Sequence, residues 1–222
     1  MNIPVRPETG KPPVGIEGLV QSRRLGDVVV LTLAAPDGNR FSPALTAALH
    51  QALTRAQAEV GLRGIVLTSA ADFCAGPWAD LPPPGPEPLV APPVLAAMSA
   101  LCAAIEAAPC PVVCALKGRV SGGGLSVALA CRARLAAPGT VFTCPEPRLG
   151  RLPSGGGAVR LAWRIGAGPT LALAAGGVLG ADQALAQGLI DGIEAGDLLA
   201  AAARMPPTPA AHPGLADPAA FA

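Results

Sequence analysis

Tyrosine is absent from this chain of 222 residues, and other aromatics are few: four phenylalanines and two tryptophans. Proteins that hold single-stranded nucleic acid stack bases on such rings, so the material for that surface is missing. Charge is also scarce, at 14% of residues, and the net formal charge is +1 with the basic residues scattered. A phosphate backbone demands a concentrated positive face, and none is present. No nucleic-acid partner is expected. No uninterrupted apolar run approaches the ~20 residues that a membrane span requires. The nearest run, Val94 to Ile105, is too short and meets an acid at Glu106, so no membrane partner is expected either. The N-terminus, Met1-Asn-Ile-Pro-Val-Arg-Pro7, lacks the basic-then-apolar order of a secretory signal, which makes a cytoplasmic location the expectation. The only histidines are His50 and His212, and the six cysteines show no paired metal-ligand spacing. Most lie in apolar runs, where a free cysteine behaves as a small hydrophobe. No metal is expected.

What the chain has is apolar residues, 51% of the total, and a mean hydropathy of +0.47. At this length that suffices for one substantial core. Residues 1–16 and 206–222, rich in proline with glycine or alanine, read as loose tails around a single domain at 17–205. Asp27 to Ala35 reads as a β-branched strand followed by a turn at Pro36-Asp-Gly-Asn39. Ser42-Pro43 caps a helix running to about Val60, with Leu45, Leu49, Leu53 and Ala56 on one face. His50 falls on that helix as a surface residue. Gly64 to Ser69 is a second strand, and a strand–helix–strand order implies a parallel sheet. A proline-dense loop from Pro82 to Pro93 reads either as a surface excursion or as a flap over a pocket. Helices are expected at Val94–Ala107, 158–165, 170–175, 181–190 (stopped by Gly188) and 198–205.

The stretch from Pro111 to Gly157 carries the chemistry. A buried strand, Pro111 to Lys117, leads into Gly118-Arg-Val-Ser-Gly-Gly-Gly-Leu-Ser126, which turns into a helix ending near Cys131. A further strand, Arg134 to Pro138, precedes Phe142-Thr-Cys-Pro-Glu-Pro-Arg-Leu-Gly150 and a second glycine triplet at 155–157. Glycines 122–124 before a helix gather free backbone N–H groups at its positive end, a site for a phosphate or an oxyanion. No Gly-Lys-Ser/Thr follows, and contiguous glycines do not fit the dinucleotide fingerprint, so oxyanion stabilisation remains. The bland reading of the same triplet is turn chemistry and close packing. For Glu146, it is a surface acid or an ion pair with Arg148.

Phe73-Cys-Ala-Gly-Pro-Trp-Ala-Asp-Leu81, the 118–126 segment, Pro145-Glu-Pro-Arg-Leu-Gly150 and Leu152-Pro-Ser-Gly-Gly-Gly157 resemble, in that order, motifs of the crotonase (enoyl-CoA hydratase/isomerase) superfamily. Ala184-Leu-Ala-Gln-Gly-Leu-Ile-Asp191 resembles that family's later alanine-rich helix and turn, and Asn39 its asparagine after the first strand. The resemblance covers roughly residues 20 to 203. It implies an α/β, crotonase-like spiral of ββα units, here with a shortened C-terminal helical region, that binds an acyl-CoA thioester. Coenzyme A would enter only as part of the substrate, with no separate cofactor. Trimers or hexamers are the family's usual assemblies.

Carried over by position, the resemblance makes Gly123 an oxyanion donor and Glu146 the second of the two glutamates that hydratases use. The first falls at Ser126, which is no acid. The other oxyanion donor falls at Pro77, which has no N–H. Treating Pro77-Trp78 as an insertion gives the donor role to Ala79, and Trp78 is the remaining alternative. Asn39, Ala75, Gly76, Trp78 and Gly122 are the implied substrate-binding positions. One base suits double-bond isomerisation better than two-acid hydration. The competing expectations are a crotonase-like protein that binds CoA esters without catalysis, and a hydratase, thioesterase or decarboxylase variant on the same fold.

Overall fold

The computed structural model describes residues 16–77 and 92–205. Both expected tails lie outside the described residues, apart from Ile16, as does almost all of the Pro82–Pro93 loop. Strands β1 (Val20–Leu25) and β2 (Val28–Leu33) form a hairpin, and helix α1 (Pro43–Gln57) follows. Then come β3 (Gly64–Ser69), α2 (Pro92–Glu106), β4 (Val112–Leu116), β5 (Arg119–Ser121) and α3 (Gly123–Ala130). Next are β6 (Ala133–Ala136), β7 (Val141–Thr143), a 3-10 turn at Glu146–Leu149, α4 (Gly157–Ile165) and α5 (Ala167–Ala174). The described chain closes with β8 (Leu179–Gly180), α6 (Ala181–Ala186), β9 (Gly192–Ile193) and α7 (Leu198–Arg204).

The larger sheet has six strands in the order β1-β2-β3-β4-β6-β9, and a smaller one runs β5-β7-β8. A parallel bridge from Cys74 to Val120 extends the smaller sheet toward the loop after β3. Successive turns of chain thus give a strand to the large sheet, a strand or bridge to the small one, and a helix that covers both. This is the spiral of ββα units. The expectation of one parallel sheet needs correction. In the smaller sheet β8 pairs antiparallel with β7. β1 pairs antiparallel with β2 on the edge, and Arg119–Ser121, read as part of a turn, is a strand paired in parallel with β7. The expected helix at 181–190 stops at Ala186, because Gly188 takes a left-handed φ of 77°.

Alternation along the strands assigns two faces. Val29, Leu31, Leu33, Ile65, Leu67, Cys114 and Leu116 point into the main core beneath α1, α2 and α3. Val28, Val30, Val66, Val113 and Ala115 point the other way, beneath α7. On α1, the Ser42 hydroxyl accepts from the Leu45 amide at 3.1 Å, with Pro43 at the first helical position. Leu45, Leu49 and Leu53 are fully buried, each contributing about 1.5–3 kcal/mol of apolar burial. His50 is half-buried on the same helix. Behind the site, α4 is tied to α2 by Arg160, whose guanidinium grips both Glu106 oxygens at 2.7 and 2.8 Å. Buried Arg134 on β6 meets Asp191 at 3.0 Å.

Candidate active site

Three loops and one helix start converge at one end of the sheets. The turn after β2 is fixed by Asn39, which sits in the left-handed region at φ 57°. Its Oδ1 accepts from the Ala35 amide at 2.8 Å and its Nδ2 donates to the Asp72 carbonyl at 2.9 Å. The loop after β3 is stitched to that turn by the Ala75 amide, which donates to the Gly38 carbonyl at 2.8 Å, and by Arg40, which donates to the Pro77 carbonyl at 2.8 Å. Both polar ends of the Asn39 side chain are therefore committed to backbone, and the Ala75 N–H is as well.

At the start of α3, Gly122 has a φ of 57°, and the amides of Leu125 and Ser126 return to its carbonyl at 3.0 and 3.3 Å. Gly123 and Gly124 are the first helical residues, whose N–H groups have no preceding turn to serve. Close approach requires glycine here. A Cβ at Gly123 would stand 2.8 Å from the Phe41 Cβ, and one at Gly124 would stand 2.2 Å from the Cys74 Cβ. A Cβ at Gly122 would meet Pro77 N and Cα at 3.2 Å, so the glycine triplet and the 75–77 loop lie against each other. Pro77, the residue of that loop that meets Gly122, has no N–H. Trp78 and Ala79, the alternative donors, lie outside the described residues.

Glu146 opens the 3-10 turn, whose return is closed by the Arg151 amide donating to the Glu146 carbonyl at 2.9 Å and the Gly150 amide donating to the Pro147 carbonyl at 3.0 Å. The residue is 7% exposed and makes no ion pair among the described residues, so the surface-acid and Arg148-pair readings are corrected. Burial pushes its carboxyl above the ordinary range, opposed in part by its own nearby backbone and the Cys144 thiol. Its Oε2 is buried with no hydrogen-bond partner among the described residues. Glu146 and Gly123 line one cavity of about 60 Å³ together with Phe41, Pro77, Met98 and Arg151. Ala75 and Gly76 line a separate cavity of about 370 Å³ with Arg40, Arg119 and Arg148, and Pro77 borders both.

Ser126 is 2% exposed and does not reach the small cavity. A Cβ placed on Gly157 would lie 2.2 Å from its Oγ, so α4 begins directly against this serine. The position has neither an acid nor the room for one. Sequence reasoning missed Cys144 and Arg151. Cys144 stands two residues before Glu146, just ahead of the 3-10 turn, where no regular period places side chains together. Nothing in the local pattern around Arg151 announces that its side chain is buried.

A buried carboxylate beside the first amides of a helix, in a mostly apolar cavity, is equipped to move a proton next to a stabilised oxyanion. The chain belongs to the enoyl-CoA hydratase/isomerase family, whose sequence profile matches residues 23–206. An enoyl-CoA hydratase from Thermoplasma volcanium is similar at 29% identity and a TM-score of 0.72, over 82% of this chain and 74% of that one. An enoyl-CoA hydratase/isomerase family protein from Silicibacter pomeroyi is similar at 30% identity and a TM-score of 0.71, over 83% and 78%. Pseudomonas aeruginosa DspI shares the fold, with a TM-score of 0.77 over 86% and 82% of the chains at 24% identity.

Proposed function

We propose that the protein isomerises an enoyl-CoA thioester with Glu146 as its single base and acid. The thioester oxygen sits against the Gly123 N–H and a second donor supplied by Ala79 or Trp78. Glu146 takes a proton from C2 of a 3-enoyl thioester, and the electron pair spreads into a dienolate whose oxygen the amides hold. The same carboxyl then returns the proton at C4, so the double bond moves from C3–C4 to C2–C3 with no net gain or loss of atoms. The observation that supports this reading over hydration is the Ser126–Gly157 contact, which leaves Glu146 as the only acid bordering the cavity among the described residues. Coenzyme A arrives on the substrate, and no separate cofactor enters the scheme. The family's trimeric or hexameric assembly is part of the proposal, to be checked by light scattering, as is a cytoplasmic location.

Incubation with a 3-enoyl-CoA should produce the conjugated 2-enoyl product, followed by its absorbance. Glu146→Gln should cut the rate about a hundredfold or more. A variant as active as the native protein would remove Glu146 from the mechanism. The second reading is a CoA-ester-binding protein without catalysis, favoured by Pro77 standing where an amide donor is needed. Exchange of the C2 hydrogens of a bound thioester for deuterium separates the two, because only the enzyme catalyses it.

A further inference from the structure

One side chain runs between the two glycine triplets. Met98, on α2, is 4% exposed and lines the small cavity beside Gly123 and Glu146. A Cβ at Gly155 would stand 2.8 Å from the Met98 Cγ, and one at Gly123 would stand 3.0 Å from its Cε. The side chain therefore passes from the second triplet toward the first, and its methyl ends beside the proposed oxyanion donor. Behind it the space is filled. Cys102, four residues further along α2 and fully buried, has its sulfur 3.0 Å from the same Gly155 Cβ position. The rim of the cavity is open, since Leu152 and Leu95 line it and are both exposed.

We propose that Met98 sets the length of acyl group this protein accepts, and that the group is short. The inference rests on the acyl-CoA reading of the Glu146 cavity. That cavity measures about 60 Å³, less than half of the ~150 Å³ that holds a benzene ring in a protein core. It has room for an acyl group of about four carbons, the unit that the double-bond shift itself needs. Further carbons meet the Met98 side chain on the inner side or leave past Leu152 on the outer. Carbons that leave stay largely in water, so they add little to affinity. Methionine suits such a stop because its unbranched, polarisable chain fills a narrow, irregular gap.

The test is the affinity of the protein for saturated acyl-CoAs from acetyl to decanoyl, measured by calorimetry. Each methylene moved from water into apolar surroundings tightens binding about fourfold. In the native protein that gain should end near butanoyl-CoA, with little further tightening toward decanoyl. Met98→Ala removes the side chain beyond Cβ and should carry the rise about two carbons further, so that hexanoyl-CoA binds about fifteenfold tighter than butanoyl-CoA. Met98→Val, a smaller cut into the core, should move the limit the same way. Met98→Leu, close to methionine in volume, should keep it. Native affinity that climbs steadily to decanoyl-CoA would overturn the proposal without any variant, as would alanine and valine proteins whose limit stays at butanoyl. A native protein that shows the limit but converts no 3-enoyl-CoA would sink the isomerase reading and leave Met98 in its role. One that isomerises short and long 3-enoyl-CoAs equally well would do the reverse.

Discussion

Glu146 sits where its own charge is unwelcome. Burial raises its carboxyl, so the folded protein holds that proton more tightly than the unfolded chain does. The stability this group contributes is complete below the unfolded carboxylate value and is lost as pH rises through the raised folded value. As pH rises through that raised value the native protein bears a growing cost for burying an acid. Glu146→Gln should raise the thermal midpoint at neutral pH, with the gain shrinking on acidification. Thermal scans across that range check this, and a gain independent of pH would show that the carboxyl titrates alike in both states. Reactive groups held at a cost to stability are common at catalytic positions. Asn39 shows the opposite case. Its position was legible from the sequence as a family feature, but its side chain spends both hydrogen-bonding ends on Ala35 and Asp72. These two bonds hold the turn after β2 against the loop after β3.

At the scale of elements, the placement of α4 against α3 decides the chemistry. The serine at 126 is visible in the sequence, and it suggests that a single substitution would restore a second acid. The contact with Gly157 contradicts that, since α4 starts where a longer side chain would go. Ser126→Glu should therefore destabilise the fold by about 1–3 kcal/mol from overpacking alone, with the buried charge adding to it. It should yield no addition of water to a 2-enoyl-CoA. Denaturant unfolding and a hydration assay check the two halves, and a stable variant that hydrates would mean that α4 can move aside. The glycine triplets belong to the same scale. Their spacing in the chain announced a tight helix start, but the reason for each came from its neighbour: Pro77 for Gly122, Phe41 for Gly123 and Cys74 for Gly124.

For the whole molecule, the spiral brings the 75–77 loop, the start of α3 and the 144–151 segment to one end, although they are far apart in the chain. A ligand that bridges them stabilises the folded state by mass action. A non-hydrolysable acyl-CoA analogue at a hundredfold excess over its Kd should add about 2.7 kcal/mol to stability. The rise in midpoint should survive in Glu146→Gln, which keeps the binding surface. A flat response from both proteins would weaken the isomerase and the binding readings together.

The sequence by itself determined the alternation that sorts residues between the two faces of the large sheet, the cap of α1, the ordered motifs that mark the family, and the identity of the lone acid. These are written in local periodicity and short-range chemistry. The antiparallel β1 edge and the three-residue β5 were not legible, because a short strand is defined by its partner and its own residues carry little pattern. Only the tertiary structure decided that Glu146 is buried, with no ion pair among the described residues, and that Ser126 is packed against the start of α4. Each depends on which distant segment arrives next to the residue, and desolvation, the largest influence on the Glu146 proton, exists only once the surrounding chain has packed.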